Sequence, residues 1–225
     1  MKPRQLSDPV ARTLGYYDSH ERYLGGDSPG VRRAWEVSTS VVEAGVSAKL
    51  VAFSTQWTAA LQSGRFATLP CPAWMLGTIQ QSAPAARGTW DVTAIPGGAG
   101  NWGGSFLTVP KSSRHAAEAY QLASWLTATE QQRRVFVETG NLPSHPALYE
   151  DPAVRDLHND FFRGAPVGKI FTAAAERKQP QYLGVRSGLL REPFEEGLMA
   201  AESGEKSLSE AWRETLDVAA TVAAG

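Results

Sequence analysis

Apolar residues recur with helical spacing along most of this chain, and signals that begin and end helices lie where the spacing starts and stops. The first helix is predicted to begin with Ser28 as its N-cap and Pro29 in its first turn, and to end at Gly45. A second short helix is predicted over residues 55–63, ended by Gly64. One face of the first helix carries Val31, Ala34, Trp35, Ser38, Val41 and Val42.

The second half of the chain is predicted to be mainly helical. Residues 115–126, HAAEAYQLASWL, are apolar around most of the helical circumference, which is typical of a helix pressed between layers. Thr127 with Glu130, and Ser207 with Glu210, form two boxes of the S/T-x-x-E type. Each box predicts the start of a further helix.

Three short stretches favour strands: RFATLP at 65–70, WDVTAI at 90–95 and SFLTVP at 105–110. Pro70 and Pro72 prevent the first of them from continuing as a paired central strand. Many helices with a few short strands indicate the α/β class. The strands are too few to build a complete sheet in each of two lobes.

Composition and charge narrow the function without naming it. The chain has 225 residues and a net charge of −1, so it carries no basic field that would attract nucleic acid or anionic lipid. The single Cys71 excludes an internal disulfide and a multi-cysteine metal site. The amino-terminal stretch is charged and lacks the apolar core of a signal peptide, and no segment is apolar for long enough to span a membrane.

No catalytic, cofactor or metal site is predicted. Gly98, Gly100 and Gly103 match G-x-G-x-x-G, but a predicted strand follows them where a dinucleotide site needs a helix N-terminus. A hairpin loop is the better interpretation. The four histidines lack metal-ligand spacing, and Glu195 and Glu196 are adjacent, so on a helix they face different directions.

Tryptophan is the unusual feature, with seven in the chain. Four lie on predicted helical stripes and are expected in the core: Trp35, Trp57, Trp125 and Trp212. Trp90 opens a predicted strand and could serve either the core or a surface. Trp74 follows C-P-A, and Trp102 precedes Gly103 and Gly104, and neither place requires a large core side chain. An exposed indole suits the apolar face of a sugar, and covering about 50–100 Å² of it stabilises by roughly 1–3 kcal/mol.

The order of these parts resembles the C-terminal half of an ABC-importer sugar-binding protein of the extracellular solute-binding family 1 type. The matching stretches are FSTQWTAALQSGRFATLPCPAWMLG, WDVTAIPGG, the segment from NWGGSFLTVP to GNLPSHPALYEDP, and PQYLGVRSGLLREPFEEGL. Together they cover nearly all of residues 30–225. The sequences CPAW and NWGGS resemble those of cellobiose- and oligosaccharide-binding members most.

The resemblance implies a type II periplasmic-binding-protein fold that is truncated, with most of the first lobe missing. It assigns residues 1–104 and 151–225 to the second lobe and residues 105–150 to a segment that crosses back to the first. It implies an oligosaccharide ligand contacted by Trp74, Trp102, Gly103, Gly104, Tyr182 and Arg186. No cofactor is implied.

The resemblance also implies a cellular setting. Permease subunits are the expected partners of the parent protein, and family members lie outside the cell or in the periplasm, often as lipoproteins. Members of the family begin with a signal peptide, which this chain lacks in its own sequence. We therefore expect a fragment or a truncated gene product that alone binds sugar weakly or not at all.

Two other classes stay open at this point. A carbohydrate-active enzyme would use the same tryptophans as subsites, but it needs two facing carboxylates, and only Asp91 lies near them in sequence. A helical interaction module would instead bind another chain through its apolar faces.

Overall fold

The computed structural model describes residues 15–96, 98–178 and 182–225. The described residues fall into two compact units. The terminal unit holds the described residues of 1–51 and 179–225, and the central unit holds those of 52–178. The lobe boundaries expected at 104 and 150 do not coincide with the limits of these units, and the assignment of segments to lobes stays a prediction.

Helices dominate the described residues. The α-helices are α1 Pro29–Glu43, α2 Thr55–Ser63, α3 Ala73–Ser82, α4 Ala116–Leu126, α5 Thr129–Thr139, α6 Pro152–Arg155, α7 Val167–Arg177, α8 Arg191–Ser203 and α9 Leu208–Ala224. Short 3-10 turns occupy Gly25–Asp27, Pro84–Ala86, Pro146–Glu150 and Asp160–Phe162.

The three predicted strands are wrong for the part of the chain that the structure describes. Residues 65–70, 90–95 and 105–110 are irregular there. The only β-type pairing among the described residues is two isolated bridges, between Tyr17 and Tyr23 and between Asn159 and Ala165. A strand is held by ladder hydrogen bonds to a neighbour, and no described segment supplies that neighbour.

Two of the predicted helix starts are confirmed, and in both the predicted serine caps the helix with its own side chain. Ser28 Oγ accepts a hydrogen bond from the Val31 N–H at 3.3 Å, as expected of an N-cap. Ser207 and Glu210 form the reciprocal capping box at the start of α9. The predicted second helix coincides with α2, Thr55–Ser63.

The other predicted box is wrong. Residue Ala128 precedes α5 in the N-cap position and offers no side-chain acceptor. Thr127 follows α4, and its hydroxyl donates back to the Ala123 carbonyl at 2.9 Å. Glu130 pairs with Arg133 at 2.8 Å instead of reaching back to the cap. The preceding helix therefore takes the threonine hydroxyl that the box would need.

Helix α4 is exposed, contrary to the expectation that layers press on it. None of its residues is buried, and Tyr120 and Trp125 are 70% and 56% exposed. Only Ala119 and Ala123 are half-buried, so the part of the chain that the structure describes covers a narrow strip of this helix. The prediction of Trp125 as a core residue is therefore wrong.

The core of the terminal unit lies between α1, α8 and α9. Trp35 is 8% exposed and packs on Trp212 and Phe194 with ring centroids 5.0 and 6.5 Å away. Gly197 of α8 faces Thr215 of α9, and a Cβ at this glycine would overlap the threonine hydroxyl. The contact between α8 and α9 thus depends on the absence of a side chain at this position.

The central unit buries two groups of side chains. Trp57, Leu61 and Met75 of α2 and α3 are at most 4% exposed, which confirms the prediction of Trp57 as core. Phe136 of α5 forms a second cluster with Leu148 and Val154. Burial of the inner face of α3 fixes which of its residues reach the surface.

Candidate functional site

Helix α3 begins directly after the proline-broken stretch 65–72 and presents a tryptophan in its first turn. Pro72 has extended backbone and ends the preceding segment, so that the helix starts at Ala73. Ala73 and Met75 are buried, while Trp74 between them is only half-buried. The helical rotation that buries its neighbours leaves this indole at the surface of the central unit.

Trp74 is joined to Trp102 across the sequence. The Trp74 Nε1–H donates a hydrogen bond of 3.1 Å to the main-chain carbonyl oxygen of Trp102. Their ring centroids lie 5.8 Å apart with planes at 69°, an edge-to-face arrangement. Trp102 is 40% exposed, so the pair holds one indole against another while both keep accessible surface.

The two glycines after Trp102 keep this corner open. Gly103 and Gly104 have φ angles of +99° and +138°, a region that L-residues with side chains rarely adopt. A Cβ at Gly103 would lie 3.6 Å from the Trp74 Nε1 atom. The loop therefore passes close to the indole edge with no side chain placed over it.

A third ring, that of Phe53, completes this cluster, and sequence analysis missed it. Its centroid lies 6.2 Å from that of Trp74 at an interplanar angle of 21°, and 5.3 Å from that of Trp57. We call Phe53, Trp74 and Trp102 the aromatic cluster. An apolar residue directly before an N-cap serine, here Ser54, is known to pack back on its helix, and this signal could have drawn attention to Phe53.

Tyr182 and Arg186 lie in the other unit, and both are engaged in hydrogen bonds within it. The Tyr182 hydroxyl donates to the Glu21 carboxylate, whose other oxygen accepts the Val185 N–H at 3.1 Å. Arg186 Nη1 donates at 3.2 Å to the carbonyl of Val222, in the last turn of α9, where helical carbonyls lack an intrahelical donor.

Of the six residues predicted to contact sugar, the structure brings Trp74, Trp102 and Gly103 together, with Gly104 next in the loop. The sugar contacts assigned to all six residues stay predictions.

The hydrogen bonds at Glu21 shift the pKa values of both Glu21 and Tyr182. Donation from the Tyr182 hydroxyl, and secondly from the Val185 N–H, stabilises the carboxylate and lowers the pKa of Glu21 below its ordinary value of 4.5. The same hydrogen bond raises the pKa of Tyr182. A lowered pKa means that the stabilisation is present above pH 4.5 and is lost as the pH falls through the folded-state value.

The stabilising effect of Glu21 is therefore expected to disappear in acid. At neutral pH, Glu21→Gln should lower the melting temperature of the chain, because the amide has a single acceptor oxygen and its NH2 group cannot accept the second hydrogen bond. Well below pH 4.5 the two proteins should melt together, as the native carboxyl is then protonated. Thermal melts followed by circular dichroism across this range test it, with Tyr182→Phe expected to reduce the pH-dependent difference. A melting difference that is the same at both pH values would contradict the assignment.

Neither a metal-binding cluster nor a membrane-spanning helix is found among the described residues. Within 15–96, 98–178 and 182–225, no group of three or more His, Cys, Asp or Glu side chains is placed to hold a metal ion. None of the described helices is both long and apolar enough to cross a bilayer.

Comparison with known proteins identifies the family. The model of the bacterial extracellular solute-binding protein family matches residues 9–160, more than half of the chain. No curated protein sequence matches. A crystal structure of an extracellular solute-binding protein of family 1 is 43% identical, with a TM-score of 0.83 over 94% of this chain and 56% of its own.

Two more distant structures share the fold. The ABC-transporter-associated binding protein of B. animalis subsp. lactis Bl-04, solved with beta-1,6-galactobiose, is 24% identical, with a TM-score of 0.66 over 84% of this chain and 50% of its own. The sugar-binding protein MalE of Xanthomonas citri is 18% identical, with a TM-score of 0.69 over 98% and 57%. This chain thus spans little more than half the length of the structures it resembles.

These likenesses confirm the predicted fold class, a type II periplasmic-binding-protein architecture of which this chain supplies a part. The family match and the 43% identity also confirm the resemblance drawn from the sequence. The family is one of binding proteins. The chain belongs to the bacterial extracellular solute-binding protein family.

Proposed function

We propose that this chain is the oligosaccharide-contacting part of the substrate-binding component of an ABC importer. It binds the sugar without changing it chemically. In the parent protein, a lipid anchor holds this binding component at the outer face of the membrane, where it delivers the sugar to the permease subunits. The observation that supports this most is the aromatic pair, since the 3.1 Å bond from Trp74 to the Trp102 backbone holds two partly exposed indoles at a fixed angle.

The indole pair and the glycine loop beside it suit the two kinds of surface on a sugar, its apolar C–H faces and its hydroxyl-bearing edge. The apolar C–H faces of a pyranose ring cover an indole, and each covered indole stabilises the complex by roughly 1–3 kcal/mol on area bookkeeping. The hydroxyl groups at the edge of the ring need hydrogen-bond partners close by. Gly103 and Gly104 leave the loop backbone accessible to them, because neither residue places a Cβ in the way.

The fold supports the same conclusion. The structurally similar protein of B. animalis subsp. lactis Bl-04 was solved with a disaccharide, beta-1,6-galactobiose. Because this chain covers 50% of that protein's length, we expect only part of a complete binding surface and hence weak affinity. Dissociation constants near the millimolar range, about −4 kcal/mol, are the expected scale.

Nuclear magnetic resonance of the indole N–H groups tests the proposal at this affinity. Titration with cello- and malto-oligosaccharides and with beta-1,6-galactobiose should shift the Trp74 and Trp102 signals. The signals of Trp35 and Trp212, which pack in the terminal unit, should stay in place as the internal control. Equal shifts of all four, or none with any of the sugars, would contradict the proposal. Release of shorter sugars during the titration would instead indicate a carbohydrate-active enzyme.

A further inference from the structure

We infer that Phe53 is a third sugar-contacting ring of this site, which contacts a second sugar unit and so selects for oligosaccharides over monosaccharides. The inference rests on the proposed function, and it adds a residue and a basis for length selectivity that sequence analysis did not provide. Three observations carry it: the backbone conformation of Phe53, the geometry of its ring and its exposure.

The backbone at Phe53 is unusual for a bulky residue. Its φ angle is +65°, in the left-handed region where a glycine would cost less free energy. The start of α2 does not depend on the ring, because Ser54 Oγ already accepts the Trp57 N–H at 3.1 Å. Packing on Trp57 accounts for one side of the ring, and a strained, bulky residue that keeps half of its surface exposed indicates a further role for the other side.

The ring of Phe53 extends the surface of Trp74. The two planes are 21° apart, close to parallel, with centroids separated by 6.2 Å. Direct face-to-face contact would bring carbon atoms to about 3.5–4.0 Å, so the rings are offset and each leaves part of its face uncovered. Trp74 also contacts Trp102 at a centroid distance of 5.8 Å. The three rings are therefore connected through Trp74, and a ligand at the tryptophan pair has Phe53 as its aromatic neighbour.

Exposure separates Phe53 from the packing residues around it. Trp57, its other ring neighbour, is 4% exposed, whereas Phe53 is 50% exposed. Half of the Phe53 residue is thus free of the packing that buries Trp57. The uncovered half of Phe53 borders the indole that we propose to bind sugar, which favours contact with the next unit of the same ligand.

Substitution of Phe53 tests this with the full chain. For Phe53→Gly, the dissociation constant for cellotetraose or maltotetraose, whichever shifts the Trp102 indole signal, should rise about tenfold as one aromatic contact is lost. The constant for glucose should be unchanged, because a single ring occupies the tryptophan pair. Phe53→Tyr should retain binding and Phe53→Leu should lose it. The urea midpoint of Phe53→Gly should equal or exceed that of the native chain, since glycine relieves the backbone strain.

Phe66→Leu is the matched control, as it removes a phenylalanine that contacts a tryptophan of the same unit, Trp90, at a centroid distance of 5.6 Å. Its sugar binding should be unchanged. Native tetrasaccharide binding by Phe53→Gly, alongside loss in Trp102→Ala, would overturn this inference and leave the proposed function intact. Equal loss of glucose and tetrasaccharide binding, or a lower urea midpoint, would show a structural role and also overturn it. A native chain that binds no sugar would overturn both proposals.

Discussion

Gly168→Ala is expected to cost about 3 kcal/mol or more of unfolding free energy, although alanine is the better helix former. Gly168 lies in the first turn of α7, and its N–H donates to the Leu157 carbonyl at 3.0 Å. A Cβ there would overlap the carbonyl oxygen of Val154 and lie 2.6 Å from that of Arg155. Both are backbone atoms of α6, so no side-chain rotation relieves the overlap and the two helices must separate.

Urea unfolding followed by far-ultraviolet circular dichroism measures this loss. Gly100→Ala is the matched control in the same unit, because no atom lies within 4 Å of the position that its Cβ would take. Gly100→Ala should unfold close to the native midpoint. If Gly168→Ala does so as well, α6 and α7 can move apart at little cost and the close approach is not essential to the central unit.

Trp102→Ala is expected to lower sugar affinity by about 10- to 100-fold. This corresponds to a loss of roughly 1.4–2.8 kcal/mol of binding free energy as the covered indole surface is removed. Its melting temperature should stay close to that of the native chain. Trp102 is 40% exposed, and the hydrogen bond from Trp74 ends on its main-chain carbonyl, which alanine retains. The substitution therefore removes a stacking surface and leaves the loop attached to α3.

Trp90→Ala provides the opposite pattern for comparison. Trp90 is half-buried, packs on Phe66 and donates its indole N–H to the Leu61 carbonyl at 3.0 Å. Its loss should reduce stability and leave sugar affinity unchanged. Thermal melts and indole titrations of both variants separate the two roles. A large fall in the melting temperature of Trp102→Ala would place that indole in the core and contradict the proposed site.

Sequence patterns predicted the starts of α1 and α9 correctly because the capping signals there are local, whereas the box at Thr127 failed because α4 takes its hydroxyl. Ser28 caps α1 and Ser207 caps α9 through atoms only three residues away, so the chain itself carries the necessary information. The predicted strand at 105–110 was wrong, since a strand exists only through a partner elsewhere and the described residues supply none. Trp125 shows the same limit for burial, because periodicity identifies an apolar side of a helix but not whether anything covers it.

For the candidate site, single positions could be predicted and their contacts could not. Trp74 and Trp102 drew attention because proline and glycine neighbours leave little reason for a core indole. Nothing in the pattern showed that a hydrogen bond joins them across 28 residues. The position of Phe53 before the N-cap Ser54 was a usable signal for packing on α2, but neither its left-handed backbone angle nor its contact with Trp74 has a sequence signature. The hydrogen bond between Tyr182 and Glu21 joins residues 161 positions apart, and the sequence pattern could not predict it either.

The bond from Trp74 to the loop has a consequence for how such a protein changes its ligand preference. Its acceptor is a peptide carbonyl, which every amino acid possesses, and so the anchor does not depend on which side chain stands at 102. Under the proposed function, replacement of Trp102 by tyrosine, histidine or a small residue would alter the surface offered to the sugar while the loop keeps its place. The side chain at 102 could then vary with the ligand without any change in how the loop is attached to α3.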